Sequence, residues 1–155
     1  MPTGIDQCPT VLTRPMEPKL QLRMFDSAKD YDMVADWWRG HGWNPVPSYF
    51  LPKLGVVACW IEGEKTKDTA AAWLYMDNSS PVCWLEYMVS NPAMNAGRSV
   101  KALRHLDTFL TAEAKATGYV VMMTTCRQDS LVKFHEKNGF RKTDEDVTHL
   151  VKILN

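Results

Sequence analysis

Apolar positions along this chain switch between two spacings, and the switches predict its elements in order. Tyr31, Val34, Ala35 and Trp38 repeat at i, i+3, i+4 and i+7. That stripe predicts a helix beginning at Ser27, with Asp30 completing a capping box and Gly40 ending it. Val100, Leu103, Leu106, Leu110 and Ala114 predict a longer helix from Ser99 to a close near Gly118. Short runs rich in aliphatic and aromatic residues, at 20–25, 56–62, 69–76, 82–89 and 119–125, read as strands. The charged turn 63–68 joins two of them into an antiparallel hairpin, and the turn 77–81 adds the next strand to make a meander. Residues 41–52 carry three prolines and read as an irregular loop with at most one helical turn, around 48–51. After residue 125, Leu131, Phe134 and His135 share one face of a short helix whose first N–H groups Asp129 or Ser130 can accept. Asn138 and Gly139 supply its left-handed stop. An acidic turn at 144–146 then leads to a final strand over 147–154. The proline-rich, polar residues 1–19 read as an extended arm, which leaves 20–155 as one folded domain.

Composition agrees with a globular domain, at 155 residues, 45% hydrophobic and 23% charged. Lys+Arg and Asp+Glu balance at 18 each, so net charge points to neither nucleic acid nor an anionic membrane. No apolar run reaches membrane-spanning length, the first residues lack signal-peptide character, and a cytoplasmic protein is expected. Cys8, Cys59, Cys83 and Cys126 are scattered without metal-ligand spacing, which favours reduced thiols over disulfides and predicts no metal site.

The run Ser130-Leu-Val-Lys-Phe-His-Glu-Lys-Asn-Gly-Phe140, following a strand, resembles the last motif of the GNAT superfamily of acyl-CoA-dependent N-acyltransferases. The predicted order of helix, three meander strands, long helix, strand, short helix and closing strands is similar to that family from Leu20 to Leu154. The resemblance implies an α/β (α+β) single-domain fold, with a mixed, mostly antiparallel central sheet flanked by helices. It also implies acetyl-CoA as cosubstrate, an amine acceptor as partner, and two strands splaying apart around the pantetheine arm. In this sequence the backbone of Met88, Val89 and Ser90 would face that arm. The pyrophosphate would lie on the start of the long helix, where free N–H groups and the helix dipole favour an anion. The family's loop pattern is Arg or Gln, two residues, Gly, one residue, then Gly or Ala. Met94-Asn95-Ala96-Gly97-Arg98-Ser99, running into Val100, is the best match, with Met94 departing from the pattern and Ser99 at the second small position. Arg98 is either a phosphate contact or a solvated surface cation.

Acyl transfer to an amine needs one base and one acid. Glu86 is the candidate base: it alternates with Trp84 and Met88 on one strand face, where apolar neighbours should raise its pKa. The alternative is a structural or solvent-facing carboxylate. His135 stands where the family often carries the tyrosine that protonates the thiolate; it is either that acid or a packed helix residue. Trp43 and Tyr49, in the aromatic-rich loop, are the candidate acceptor contacts, with ordinary burial as the alternative for Trp43. The leading expectation is acetyl-CoA-dependent N-acetylation of a small amine or a protein amino group, and homodimerisation is compatible with it. The competing expectation is a GNAT-fold acyl-CoA-binding or interaction module without turnover; a different acyl donor is a third.

Overall fold

The computed structural model describes residues 17–154. Five strands form one sheet: β1 (Lys19–Met24), β2 (Leu54–Glu62), β3 (Lys65–Met76), β4 (Val82–Ser90) and β5 (Val121–Met123). They lie side by side in chain order, the first three pairings antiparallel and β4 with β5 parallel. Two helices precede and follow the meander, α1 (Ser27–Gly40) and α2 (Ala96–Thr117), and the short α3 (Asp129–Lys137) follows β5. A single 3₁₀ turn, Ser48–Phe50, interrupts the proline-rich loop, as its sequence predicts.

Alternation along the strands divides the apolar residues between two faces. Against α2 the core is Val56, Ala58, Ala72, Leu74, Leu85, Leu106 and Leu110 with their neighbours. Against α1 it is Val34, Trp37, Trp38, Val57, Ala71, Trp73 and Val89. Gly55 makes room for the second cluster, because a Cβ there would stand 2.4 Å from the Trp73 indole nitrogen. Arg23 ties β1 to α1 and, past β2, to β3, with nitrogens 2.8 Å from Asp30 and 2.9 Å from Asp68. That guanidinium holds the Asp30 carboxyl below its usual range.

Four local expectations are corrected. Asp26, rather than Ser27, caps α1: its carboxylate accepts the Ala28 N–H while Asp30 accepts the Asp26 N–H. The hairpin turn tightens to Gly63 and Glu64 because β3 begins at Lys65, and Gly63 supplies the left-handed φ of +58°. The long helix begins at Ala96, three residues before Ser99, because the Asn95 side chain caps it by accepting the Arg98 N–H at 2.9 Å. Finally, residues 147–154 form no strand and stand exposed. Their alternation suits a strand, but no strand among the described residues pairs with them. The extended arm falls largely on residues 1–16, outside the described residues.

Candidate active site

The parallel ladder between β4 and β5 is short: Val82, Cys83 and Trp84 pair with Val121, Met122 and Met123, and there it ends. The Thr124 hydroxyl donates to the Leu85 carbonyl at 2.6 Å, one residue beyond the last pair of that ladder. Two residues of β4, Tyr87 and Met88, stand against Ala72 alone on β3, since Trp73 pairs with Glu86 and Ala71 with Val89. This is a β-bulge, and Tyr87 bears it in the left-handed region at φ 58°. A bulky residue there marks local strain.

The bulge changes which residues face together. Cys83, Leu85 and Met88 all join the core against α2, so Met88 does not share the face of Trp84 and Glu86 as regular alternation predicts. Glu86 points to the other face, opposite Trp73 in the pairing. Burial pushes its carboxyl up to about 7, partly offset by hydrogen bonding to Thr125 in the segment leaving β5. The Cys126 thiol next to that contact is itself raised, first by burial and also by the Glu86 charge.

Met88, in the bulge, and Val89 and Ser90 after it lie on β4 beyond the last pairing with β5. Ser90 has its carbonyl engaged, 2.8 Å from Nε2 of His41, whose ring stacks on Trp43 with centroids 4.8 Å apart. That contact assigns the proton to Nε2.

At the start of α2, Ala96, Gly97, Arg98, Ser99 and Val100 occupy the first turn, so the expected loop is instead the helix terminus itself. A Cβ at Gly97 would meet only Asn95 Oδ1, at 3.5 Å. Nothing in the chain therefore requires glycine for packing, and the space above it stays open for a ligand that approaches the backbone. Arg98 points elsewhere: its guanidinium pairs with Glu62 and lies 5.2 Å from the centre of the Trp60 ring.

His135 is 3% exposed, edge-on to Phe134 and Phe140, and neither ring nitrogen has a hydrogen-bond partner. Burial lowers its pKa to about 4. It is therefore a neutral imidazole near pH 7, with no imidazolium proton to give a departing thiolate. It lines a groove of about 570 Å³ with Thr111, Met122, Cys126 and Asp144, which includes neither Glu86 nor the first turn of α2. Trp43 is half-buried against the α1-side cluster. Tyr49 is 76% exposed with its edge to Phe50, which gives it no part in a formed pocket.

Neither family sequence models nor curated proteins give a match to this chain. Solved structures do. A probable acetyltransferase superposes with a TM-score of 0.62 at 18% identity, covering 88% of this chain and 99% of its own. A GNAT-family acetyltransferase of Streptococcus pneumoniae gives 0.52 at 13% identity, with coverages of 89% and 98%. An aminoglycoside N-acetyltransferase in complex with CoA gives 0.53 at 15%, with coverages of 90% and 99%. The chain has the GNAT fold. At these identities the likeness is one of architecture, and the chemistry must be argued from the chain's own residues.

Within the GNAT fold the chain brings the bulge of β4, Glu86 and Thr125 together just beyond the end of the β4–β5 ladder. Sequence reasoning singled out Glu86 as a candidate and gave no weight to Tyr87, Thr125 or Gly55. Asn95 before Ala96 and Gly97 was a readable cap signal; a bulge leaves no such mark in one sequence. Among the described residues no helix is long and apolar enough to cross a membrane, and no group of three His, Cys, Asp or Glu is placed to hold a metal ion.

Proposed function

We propose that the protein is an acetyl-CoA-dependent N-acetyltransferase acting on a small amine or a protein amino group. The observation that carries this reading is the strained bulge at Tyr87, just past the end of the β4–β5 ladder, beside a half-buried carboxyl poised near pH 7. The residues present fit the cosubstrate. The Asn95-capped start of α2 offers N–H groups over an unfilled Gly97, suited to a pyrophosphate. The backbone of Met88 and Val89 borders the gap where an extended amide arm would lie; Ser90 would offer its carbonyl there only by releasing His41. Bound acetyl-CoA supplies an activated acyl thioester. Glu86 would take the proton from the acceptor amine, its pKa near 7 making it a base strong enough for the step and still ionised in part. The thiolate would take its proton from water, since His135 has none to give.

One set of observations favours the second reading, an acyl-CoA-binding module without turnover: His135 is neutral, Arg98 is committed to Glu62, and Met94 stands where the family has Arg or Gln. Two measurements separate the readings. Acetyl-CoA should raise the melting temperature with a Kd in the micromolar range or weaker, and Gly97→Val should abolish the shift without altering the fold. Release of free CoA thiol on screening amines supports the enzyme. A shift without release against any amine supports the module, and no shift at millimolar acetyl-CoA removes both.

A further inference from the structure

Beyond the α1-side cluster, that same face of the sheet continues uncovered past Trp73. Trp73 is sealed in the cluster at 0% exposure, whereas Tyr75, further along β3, is 52% exposed. Tyr75 pairs with Trp84 and Trp73 with Glu86, so their side chains share one face, and β5 extends it through Met123, the partner of Trp84. Met123 is 39% exposed, and Trp84 and Glu86 are half-buried. Tyr87, turned by the bulge, packs against the same cluster. Burial pushes its phenol up, and the charges of Glu86 and Tyr75 add to that, which puts Tyr87 within electrostatic reach of both. One carboxyl thus stands among aromatic rings and a thioether.

An acceptor held here brings its amine to Glu86 and lays the rest of its body over Tyr75, Trp84 and Met123. A polyamine would leave its further ammonium groups over apolar side chains with no second carboxylate in the patch to pair them. A lysine side chain brings one amine on a thin methylene stem and leaves most of the aromatic surface wet. A ring covers it, since aromatic pairs stack offset or edge-on and a methionine sulfur packs at a ring edge. Side chains two residues apart on one strand stand about 7 Å apart, the span of a short alkyl arm between an amine at Glu86 and a ring over Trp84. We propose that Tyr75, Trp84 and Tyr87 form the acceptor subsite beside Glu86, and that the acceptor is an arylalkylamine, a single amine on a short arm from an aromatic ring. This rests on the acetyl-transfer reading and narrows its acceptor. Trp43, stacked on His41, and Tyr49, outside any pocket, take no part.

Phenethylamine, spermidine and an acetyl-lysinamide with a free side-chain amine are the probes. With acetyl-CoA, release of CoA thiol should favour phenethylamine, its kcat/KM standing about tenfold or more above the other two. Tyr75→Ser and Trp84→Leu should each raise its KM by about fivefold or more with acetyl-CoA affinity unchanged. Preference for spermidine or the lysine derivative overturns the proposal, and so does an unchanged KM in Tyr75→Ser. That variant replaces a surface residue, so it decides alone if Trp84→Leu fails to fold. Binding without acetyl-CoA keeps this inference apart from the transfer reading: phenethylamine should shift one indole N–H resonance, that of Trp84, and Tyr75→Ser should weaken its binding by about fivefold. If that binding is seen and no amine is acetylated, the transfer reading fails and the arylalkylamine site stands. If phenethylamine neither binds nor reacts, the site falls, whichever other amine is acetylated.

Discussion

Around Glu86 the backbone bends; around His135 only side chains gather. His135 is buried and Glu86 half-buried, and in both the loss of water disfavours charge, the carboxyl moving up to about 7 and the imidazole down to about 4. Their settings differ in what accompanies the burial. Glu86 has Thr125 close by to favour its charged form, a strained neighbour in Tyr87 and the end of the β4–β5 ladder two residues before it. His135 has aromatic edges and two unpartnered nitrogens. A shifted pKa alone therefore does not distinguish a working group from a packed one, and the proposed role of Glu86 rests on the backbone strain beside it.

The largest effect that could break this comparison is kinetic. With an acceptor in hand, Glu86→Gln should keep acetyl-CoA affinity, lower turnover by roughly 10²–10⁴-fold and remove the acidic limb of the pH–rate profile. His135→Phe should leave turnover within about twofold, because a neutral imidazole gives up no proton in the working range. Comparable losses in both variants would show that the two sites act together and that the contrast is false.

Stability should separate them next, with opposite signs in pH. Between 4.5 and about 7 native Glu86 keeps a proton that the unfolded chain releases, so wild-type stability falls as pH rises through that window. Between 6.5 and about 4 the unfolded chain takes up a proton that native His135 refuses, so stability falls as pH drops. Urea unfolding should then find Glu86→Gln more stable than wild type at pH 8, by up to about 3 kcal/mol, with most of that gain gone at pH 4.5. His135→Phe should show the reverse trend, its advantage growing as pH falls below 6. Parallel pH profiles for wild type and both variants would mean that neither group is buried in the way described.

How much of this was readable beforehand depended on whether local pattern or distant pairing decided the outcome. The helices α1 and α2 and the three meander strands follow from periodicity that the core satisfies directly, as do the Gly40 and Gly118 stops. Glu86 was legible as a carboxylate among apolar strand residues. The face of Met88 was not, because the bulge at Tyr87 and Met88 breaks the period of two on which such reasoning rests, and bulges depend on what lies across the sheet. The tail shows the converse: residues 147–154 carry a strand's alternation, yet alternation specifies a strand only where an edge is in reach.

The smallest expected effect tests where the cationic start of α2 sends its charge. Arg98 would serve a pyrophosphate if it were free, but its guanidinium pairs with Glu62 and covers the Trp60 ring. A pair this exposed is worth about 1 kcal/mol or less, and the ring contact adds a similar amount. Arg98→Ala should therefore lower stability by about 1 kcal/mol and weaken acetyl-CoA binding less than threefold, with the salt dependence of binding unchanged. In that case the helix terminus around Gly97 binds the anion through backbone N–H groups, and the side chain serves the β2 contact. A tenfold loss together with a flatter salt dependence would show that Arg98 leaves Glu62 when the cosubstrate arrives, making the surface pair a resting position for a binding residue.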